Sequence, residues 1–326
     1  MTAGAARPRV VVTRRIPEAV EARLGERFDV VLNPEDRPLS AAELADAMRS
    51  ADGLLPTVTD RITAEVLGVE GRRVRIVSNF GVGYNNIDVE AAKRHGVVVT
   101  NTPDVLTDDT ADIAITLLLM VARRAGEGER HVRAGAWTGW RPTHMLGTKV
   151  TGKTLGVVGM GRIGRAVAQR ARQGFGMRVI YYDPPVSAEA GRAMGAERVE
   201  SLDELLGASD FVSLHMPSLP ETRGLLNAER LGRMRRGAFL INTARGDVVD
   251  EAALAEALRD GTIAGAGLDV FEREPAVHPA LTTLENVVLL PHLGSATTET
   301  RVAMGERAMA NLVAFFGGEA PGDRVA

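Results

Sequence analysis

The chain has 326 residues, which is long for one domain and suits two. Hydrophobic residues make up 45% and charged residues 25%, enough for a sizeable core and too patterned for wholesale disorder. The net charge of −3 argues against a polyanion-binding surface, so no nucleic-acid partner is expected, and the absence of cysteine removes disulfides, thiol nucleophiles and thiolate zinc sites and fits a cytoplasmic protein.

The amino-terminal "MTAGAARPRVVVTRR" has no long apolar segment behind its positive charges, so no secretory signal is expected. In chain order, "RVVVT", "FDVVL", "DGLLPT", "RIVSNF" and "GVVVTN" predict strands, and "SAAELADAMRSA" and "NNIDVEAAKRHG" predict helices. Such alternation implies βαβ units and a mainly parallel sheet covered by helices. A helix is predicted in "TDDTADIAITLLLMVARR", with Thr107 as N-cap, Asp108 and Asp109 at its positive end and Arg123 and Arg124 at the other. Its apolar stretch, residues 113–122, is too short to span a bilayer and reads as a buried core helix, so no membrane partner is expected. The next segment, "EGERHVRAGAWTGWRPTHMLGTKVTGK", carries both tryptophans, Trp137 and Trp140, and reads as irregular.

A second alternating series opens at Lys153. "TLGVVG", "RVIYYD", "DFVSLHM", "AFLINT", "GAGLDV" and "NVVLL" predict six strands. "DEAALAEALRDGTI" predicts an amphipathic helix stopped at Gly261, and "ETRVAMGERAMANLVAFFGG" a last helix. The expected architecture is two α/β domains.

"TLGVVGMGRIGRAVAQRA" places Gly159, Gly161 and Gly164 in the spacing G-x-G-x-x-G, between an apolar strand and an amphipathic helix. Glycine is wanted there because a side chain would block approach of a pyrophosphate, and the helix N-terminus offers free N–H groups to it. A tight packing turn is the plainer alternative. The next strand ends at Asp183, 24 residues beyond Gly159, with Pro184 and Pro185 after it and no arginine until Arg192. A carboxylate there accepts hydrogen bonds from ribose hydroxyls and repels a 2′-phosphate, which favours NAD(H) over NADP(H).

Ligands of open α/β sheets bind outside the carboxyl ends of the strands. "AFLINTARGDVVDE" puts Arg245 there, "GAGLDVFEREP" puts Asp269, Glu272 and Glu274, and "NVVLLPHLGSAT" puts His292. Each has a bland reading: Arg245 pairing with Asp247, the glutamates as solvated loop charges, His292 bonding a loop carbonyl. Together, beside a nicotinamide, they suit reduction of a 2-oxo acid. That reaction needs a cation for the carboxylate and carbonyl and a proton donor for the oxygen, and a nearby carboxylate favours the protonated imidazole.

These stretches, with "DFVSLHMPSLPETRGLLN", "LINTARGDVVDEAAL" and "PHLGSAT", resemble the D-isomer-specific 2-hydroxyacid dehydrogenases, most of all the glyoxylate/hydroxypyruvate reductase branch, over residues 10–316. The resemblance implies two Rossmann-like or flavodoxin-like doubly wound parallel-sheet domains with an active-site cleft between them. Residues 1–104 and 297–326 would bind substrate, and residues 105–296 would bind NAD, with a dimerisation segment near 123–150. It implies Arg245, Glu274 and His292 as catalytic residues, the glutamate before proline selecting Glu274. The cofactor site would comprise Gly159, Gly161, Arg162, Ile163, Gly164, Asp183, Met216, Pro217, Thr222, Thr243, Ala244, Arg245, Asp269, His292 and Gly294. Asp269 would contact the nicotinamide carboxamide. Substrate would meet Leu55, the N–H groups of Val82 and Gly83 in "SNFGVGYNNID", Arg245, His292 and, from the partner of a homodimer, Trp140. No metal is implied. Relatives acting on phosphoglycerate, another D-2-hydroxy acid or phosphite would use the same three catalytic residues, and an NAD-sensing corepressor-like binding protein is the alternative of another class.

Overall fold

The structure is a computed structural model describing residues 7–326; the first six residues, which the reading of the amino terminus also covered, lie outside it. The chain divides into two compact units, one running to Leu106 and including Ala296–Ala326, the other Thr107–Ser295.

In the first unit, β1 (Arg9–Val12), β2 (Asp29–Val31), β3 (Gly53–Leu55), β4 (Ile76–Ser78) and β5 (Val98–Thr100) form a five-stranded parallel sheet in the order β2-β1-β3-β4-β5. The central strands are buried on both faces, so unbroken apolar runs mark them rather than alternation. Helix Ala41–Ser50 opens with a capping box in which Ser40 accepts from the Glu43 N–H and Glu43 accepts from the Ser40 N–H. The last helix, Thr298–Phe316, is capped by Thr297 and returns to this sheet. Ser78 Oγ donates to the Ala308 carbonyl at 2.9 Å, and a Cβ on Gly53 would touch Leu312 and Phe316 at 3.3 Å.

In the second unit, β6 (Thr154–Val158), β7 (Arg178–Tyr182), β8 (Glu197–Arg198), β9 (Phe211–Leu214), β10 (Phe239–Asn242), β11 (Gly265–Leu268) and β12 (Val287–Leu289) form a seven-stranded sheet. Its order is β12-β11-β10-β9-β6-β7-β8, with every pair parallel. The sequence reading counted six strands; β8 is a two-residue edge strand, too short to leave a periodic pattern. Strand order reverses between β6 and β9, the switch point where such sheets bind ligands.

Helix Thr107–Ala122 lies directly on β11, because two glycines of that strand share the face beneath it. A Cβ on Gly267 would lie 2.9 Å from the Leu117 Cβ, and one on Gly265 2.8 Å from a Val121 methyl. The helix includes Thr107 as its first residue, one position earlier than an N-cap at Thr107 would allow. Arg123 and Arg124 fall beyond its end. Arg124 turns left-handed at φ 54 and starts a further helix, Ala125–Arg133, where irregular chain was expected. That helix buries none of its residues and carries Gly126 and Gly128, so it has no apolar stripe for the sequence to display. No helix among the described residues is long and apolar enough to cross a membrane.

The close seat of helix on strand makes Gly267→Val destabilising by about 1–3 kcal/mol, through overpacking against Leu117. Thermal unfolding should register this as a Tm several degrees lower, at about 2–4 °C per kcal/mol. An unchanged Tm would mean that the helix is free to move off the sheet.

Candidate active site

The β6–helix turn is built on close approach. Gly159 adopts φ 92, a conformation side chains rarely take, and a Cβ on it would lie 2.8 Å from the His215–Met216 peptide after β9. A Cβ on Gly164 would strike the Gly159 carbonyl oxygen, so the first turn of helix Arg162–Phe175 can tuck under the strand end only with glycine there. Gly161 is the N-cap, with open space around its Cα, and Arg162 and Ile163 supply the next N–H groups. Asp183 reaches back from the end of β7 and accepts the Met160 N–H at 2.7 Å, which holds its carboxylate against the glycine loop. Beyond β9, Thr222 donates to the Pro217 carbonyl at 2.7 Å and accepts the Leu219 N–H at 2.8 Å, folding the loop after Met216 on itself.

His215 also follows a strand, but its environment disfavours the imidazolium. Its Nε2 meets Ser213 Oγ at 2.8 Å, and burial pushes its pKa down to about 3, so it stays neutral near neutral pH.

The ends of β10, β11 and β12 lie side by side and carry the three predicted reactive groups. After β10, Thr243 and Ala244 are buried, and the Thr243 hydroxyl has no partner among the described residues. Arg245 donates to the Ala244 carbonyl at 2.6 Å. Burial pulls its pKa down while the charges of Glu274 and Asp247 pull it up. After β11, Glu274 accepts the Phe271 N–H at 3.0 Å with one carboxylate oxygen and meets His292 Nδ1 at 2.9 Å with the other. Burial pushes the Glu274 carboxyl up, but the hydrogen bond and charge of His292, the Phe271 N–H and the Arg245 charge outweigh it, leaving the pKa below its ordinary value. With Nδ1 engaged, Nε2 of His292 is the nitrogen available to a substrate.

His292 takes a left-handed φ of 57 because the chain around it is gripped by Asp269. The Asp269 backbone carbonyl accepts the His292 N–H at 3.0 Å, and its carboxylate accepts the Leu293 and Gly294 N–H groups at 2.6 and 2.8 Å. Burial is the largest influence on this carboxyl and raises its pKa against those hydrogen bonds and the His292 charge. Gly294 is held from its other side by Thr110, whose hydroxyl donates to its carbonyl at 3.1 Å. The Glu272 carboxylate, by contrast, forms a long 3.9 Å ion pair with its neighbour Arg273.

Three residues that the sequence reading passed over hold this group together. Asn242 accepts the Ala244 N–H at 3.0 Å and donates to the Arg245 carbonyl at 2.8 Å, closing the turn that presents Arg245. Gly246 packs flat on the Phe271–Glu272 peptide, where any Cβ would collide with backbone, so the Arg245 and Glu274 loops touch directly. Glu251, buried at the start of helix Glu251–Arg259, accepts the Glu272 N–H at 2.6 Å and the His278 N–H at 3.2 Å. A polar residue closing an apolar strand was the available signal for Asn242; for Glu251 there was none, since a helix-start glutamate is ordinary.

In the first unit, Val82 and Gly83 are partly exposed in the loop after β4. Leu55, at 0% exposure, is buried at the end of β3, and Thr57 and Val58 are the nearest following positions with open surface. Trp140 stands 82% exposed in a stretch without helix or strand, while Trp137 is 55% exposed. Among the described residues no cluster of histidine and carboxylates is arranged to hold a metal ion.

Residues 115–294 match the family model described as D-isomer specific 2-hydroxyacid dehydrogenase, NAD binding domain. A protein named glyoxylate reductase from Thermococcus kodakarensis is 50% identical over 319 residues, covering 97% of this chain and 95% of its own. Another of that name from Korarchaeum cryptofilum is 50% identical over 318 residues, with the same coverage. A crystal structure of an NADPH-dependent glyoxylate/hydroxypyruvate reductase from Sinorhizobium meliloti, in complex with NADP and malonate, superposes with a TM-score of 0.87 at 38% identity, covering 98% of this chain and 97% of that one. Switch-point glycines, parallel strand ends bearing arginine, glutamate and histidine, and half-identical relatives along nearly the whole length agree: the chain belongs to the D-isomer specific 2-hydroxyacid dehydrogenase family.

Proposed function

We propose that this protein reduces a small 2-oxo acid, glyoxylate or hydroxypyruvate foremost, to the D-2-hydroxy acid with a nicotinamide cofactor. The observation that carries the proposal is the His292–Glu274 contact of 2.9 Å, within the electrostatic reach of Arg245 at adjoining strand ends. The names of the half-identical relatives point the same way.

The second unit's residues suit a dinucleotide. Gly159 and Gly164 keep the turn bare of side chains, the helix start turns N–H groups outward, and the Thr243 hydroxyl is buried with its hydrogen-bonding capacity unspent. Gly159, Gly161, Arg162, Ile163 and Gly164 would hold the pyrophosphate and Asp183 the adenosine ribose. Met216, Pro217, Thr222, Thr243, Ala244, Asp269 and Gly294 would line the remainder. When bound, reduced nicotinamide supplies the hydride. Arg245 binds the substrate's carboxylate and polarises its carbonyl, the Val82 and Gly83 N–H groups hold the carboxylate, and His292 Nε2 gives the proton to the carbonyl oxygen. Glu274 fixes the imidazole's orientation through Nδ1. In the oxidative direction neutral His292 takes the proton back.

The Asp183 carboxylate supports NAD(H) over NADP(H). The NADPH dependence of the Sinorhizobium protein makes that preference the first thing to measure. A homodimer through residues 123–150 would cover Val132, Trp137, Trp140 and Leu146, all exposed in the single chain.

Glyoxylate, hydroxypyruvate, pyruvate and phosphohydroxypyruvate, each with NADH and NADPH, should give the highest kcat/KM for one of the first two, and roughly tenfold or more in favour of NADH. Turnover of none of them would sink the proposal and leave an NAD-binding protein of another role. His292→Ala should lower kcat by about 10²–10⁴-fold with NADH affinity unchanged; near-native kcat would refute its role. Glu274 has a lowered pKa, so its carboxylate is present above that value and its support for the imidazolium is lost as pH falls through it. Glu274→Gln removes that support at every pH, so the acidic limb of the oxidative profile should move to lower pH; an unmoved limb would uncouple the pair. Light scattering should report a dimer that Trp140→Glu weakens, and a native monomer would remove Trp140 from the site.

A further inference from the structure

The carboxylate-binding loop of the first unit poses a problem of orientation. A backbone N–H can hold an anion only if the carbonyl of the preceding residue points the opposite way, because the two groups are antiparallel across a trans peptide. Presenting the N–H groups of Val82 and Gly83 therefore requires that the carbonyls of Gly81 and Val82 be drawn inward and given donors. Buried carbonyls left unpaired would cost stability, and carbonyls turned outward would face an anion with negative dipole ends.

Two asparagines and one backbone amide meet that requirement. The Gly81 carbonyl accepts the Thr102 N–H at 3.1 Å and Asn79 Nδ2 at 3.4 Å. The Val82 carbonyl accepts Asn101 Nδ2 at 2.8 Å, and the Gly83 carbonyl accepts Asn79 Nδ2 at 2.9 Å. Asn79 is fully buried and Asn101 nearly so. A third amide, Asn86, donates to Asn79 Oδ1 at 3.3 Å and to the Thr57 and Asp60 carbonyls at 3.1 Å, tying this loop to the one after β3. The loop also closes tightly on its neighbour, since a Cβ on Gly81 would lie 2.6 Å from a Val58 methyl. The N–H groups of Val82 and Gly83 make no hydrogen bond among the described residues.

We infer that Asn79 and Asn101 are positioning residues for substrate binding: by drawing in three successive carbonyls they aim the Val82 and Gly83 N–H groups at the carboxylate of the 2-oxo acid. This rests on the proposed role of those two amides. Asparagine suits the task because it donates without charge. Aspartate at the same position cannot donate when ionised and would set a negative group behind an anion site. Asn101 governs the peptide that carries the Gly83 N–H and is the cleaner of the two to change, since among the described residues its side chain donates to the Val82 carbonyl alone, whereas Asn79 bonds two carbonyls and Asn86.

The test is Asn101→Asp, with Asn101→Ala as the second variant if the first does not fold. Five quantities are read for native and variant: KM and kcat for the 2-oxo acid that the native protein turns over, the inhibition constant of oxamate as a non-reducible mimic, the NADH dissociation constant, and Tm. Expected are rises of about 10–100-fold in KM and in the oxamate constant together, the loss of one hydrogen bond to a charged group. kcat at saturation and NADH affinity should stay within about threefold, the pattern of lost uniform binding. A folded variant with unchanged KM and oxamate constant would overturn the inference. So would NADH affinity and kcat falling as much as KM rises, which would mark a merely structural role. If the native protein itself reduces no 2-oxo acid, it is the proposed function that fails.

Discussion

Everything at the candidate site depends on one constraint: β10, β11 and β12 are adjacent and parallel, so their carboxyl ends emerge at one edge. Arg245, Glu274 and His292 are far apart in sequence and meet because each follows one of those strands. Parallel register alone would leave them on three loose loops. Backbone contacts remove that looseness. Gly246 lets the first loop lie on the second, and Asp269 binds the third through the His292, Leu293 and Gly294 N–H groups. Groups held by rigid backbone lose little freedom when a reactant binds, which is the physical basis of pre-organisation.

The buried charges serve the same end. Asp269 and Glu251 are buried carboxyl groups, and each accepts backbone N–H groups of a loop it secures. The first unit solves the corresponding problem with neutral amides instead, because its loop must hold N–H groups outward and carbonyls inward. In both units polar side chains spend their hydrogen bonds on shaping main chain.

Much of the fold was legible in the sequence because parallel strands buried on both faces are continuous apolar runs. Of the twelve strands among the described residues, eleven coincide with such runs, and β8 does not because two residues carry no period. Helix Ala125–Arg133 escaped notice because an unburied helix needs no apolar stripe. Gly159, Arg245, Glu274 and His292 stand out in the sequence because each lies in the loop that follows a strand, in a recognisable motif. For Leu55 the sequence offers no such signal, since an apolar residue near a strand end looks the same whether it faces the core or a ligand; the structure buries it at the end of β3.

The sequence by itself determined the two α/β series, the glycine turn at the first strand of the second, and the kinds of group placed after later strands, because those features are local in the chain. Only the tertiary structure decided which strand ends adjoin, which carboxylate reaches His292, and which glycines are required by a neighbour's backbone rather than by their own conformation. It also decided that Asn79, Asn101, Asn242 and Glu251 serve loops rather than solvent. The reason is that these are properties of contacts between distant segments. A hydrogen bond from His292 to Glu274, or from Asn101 to Val82, leaves no trace in spacing or composition until the sheets have brought the chain together.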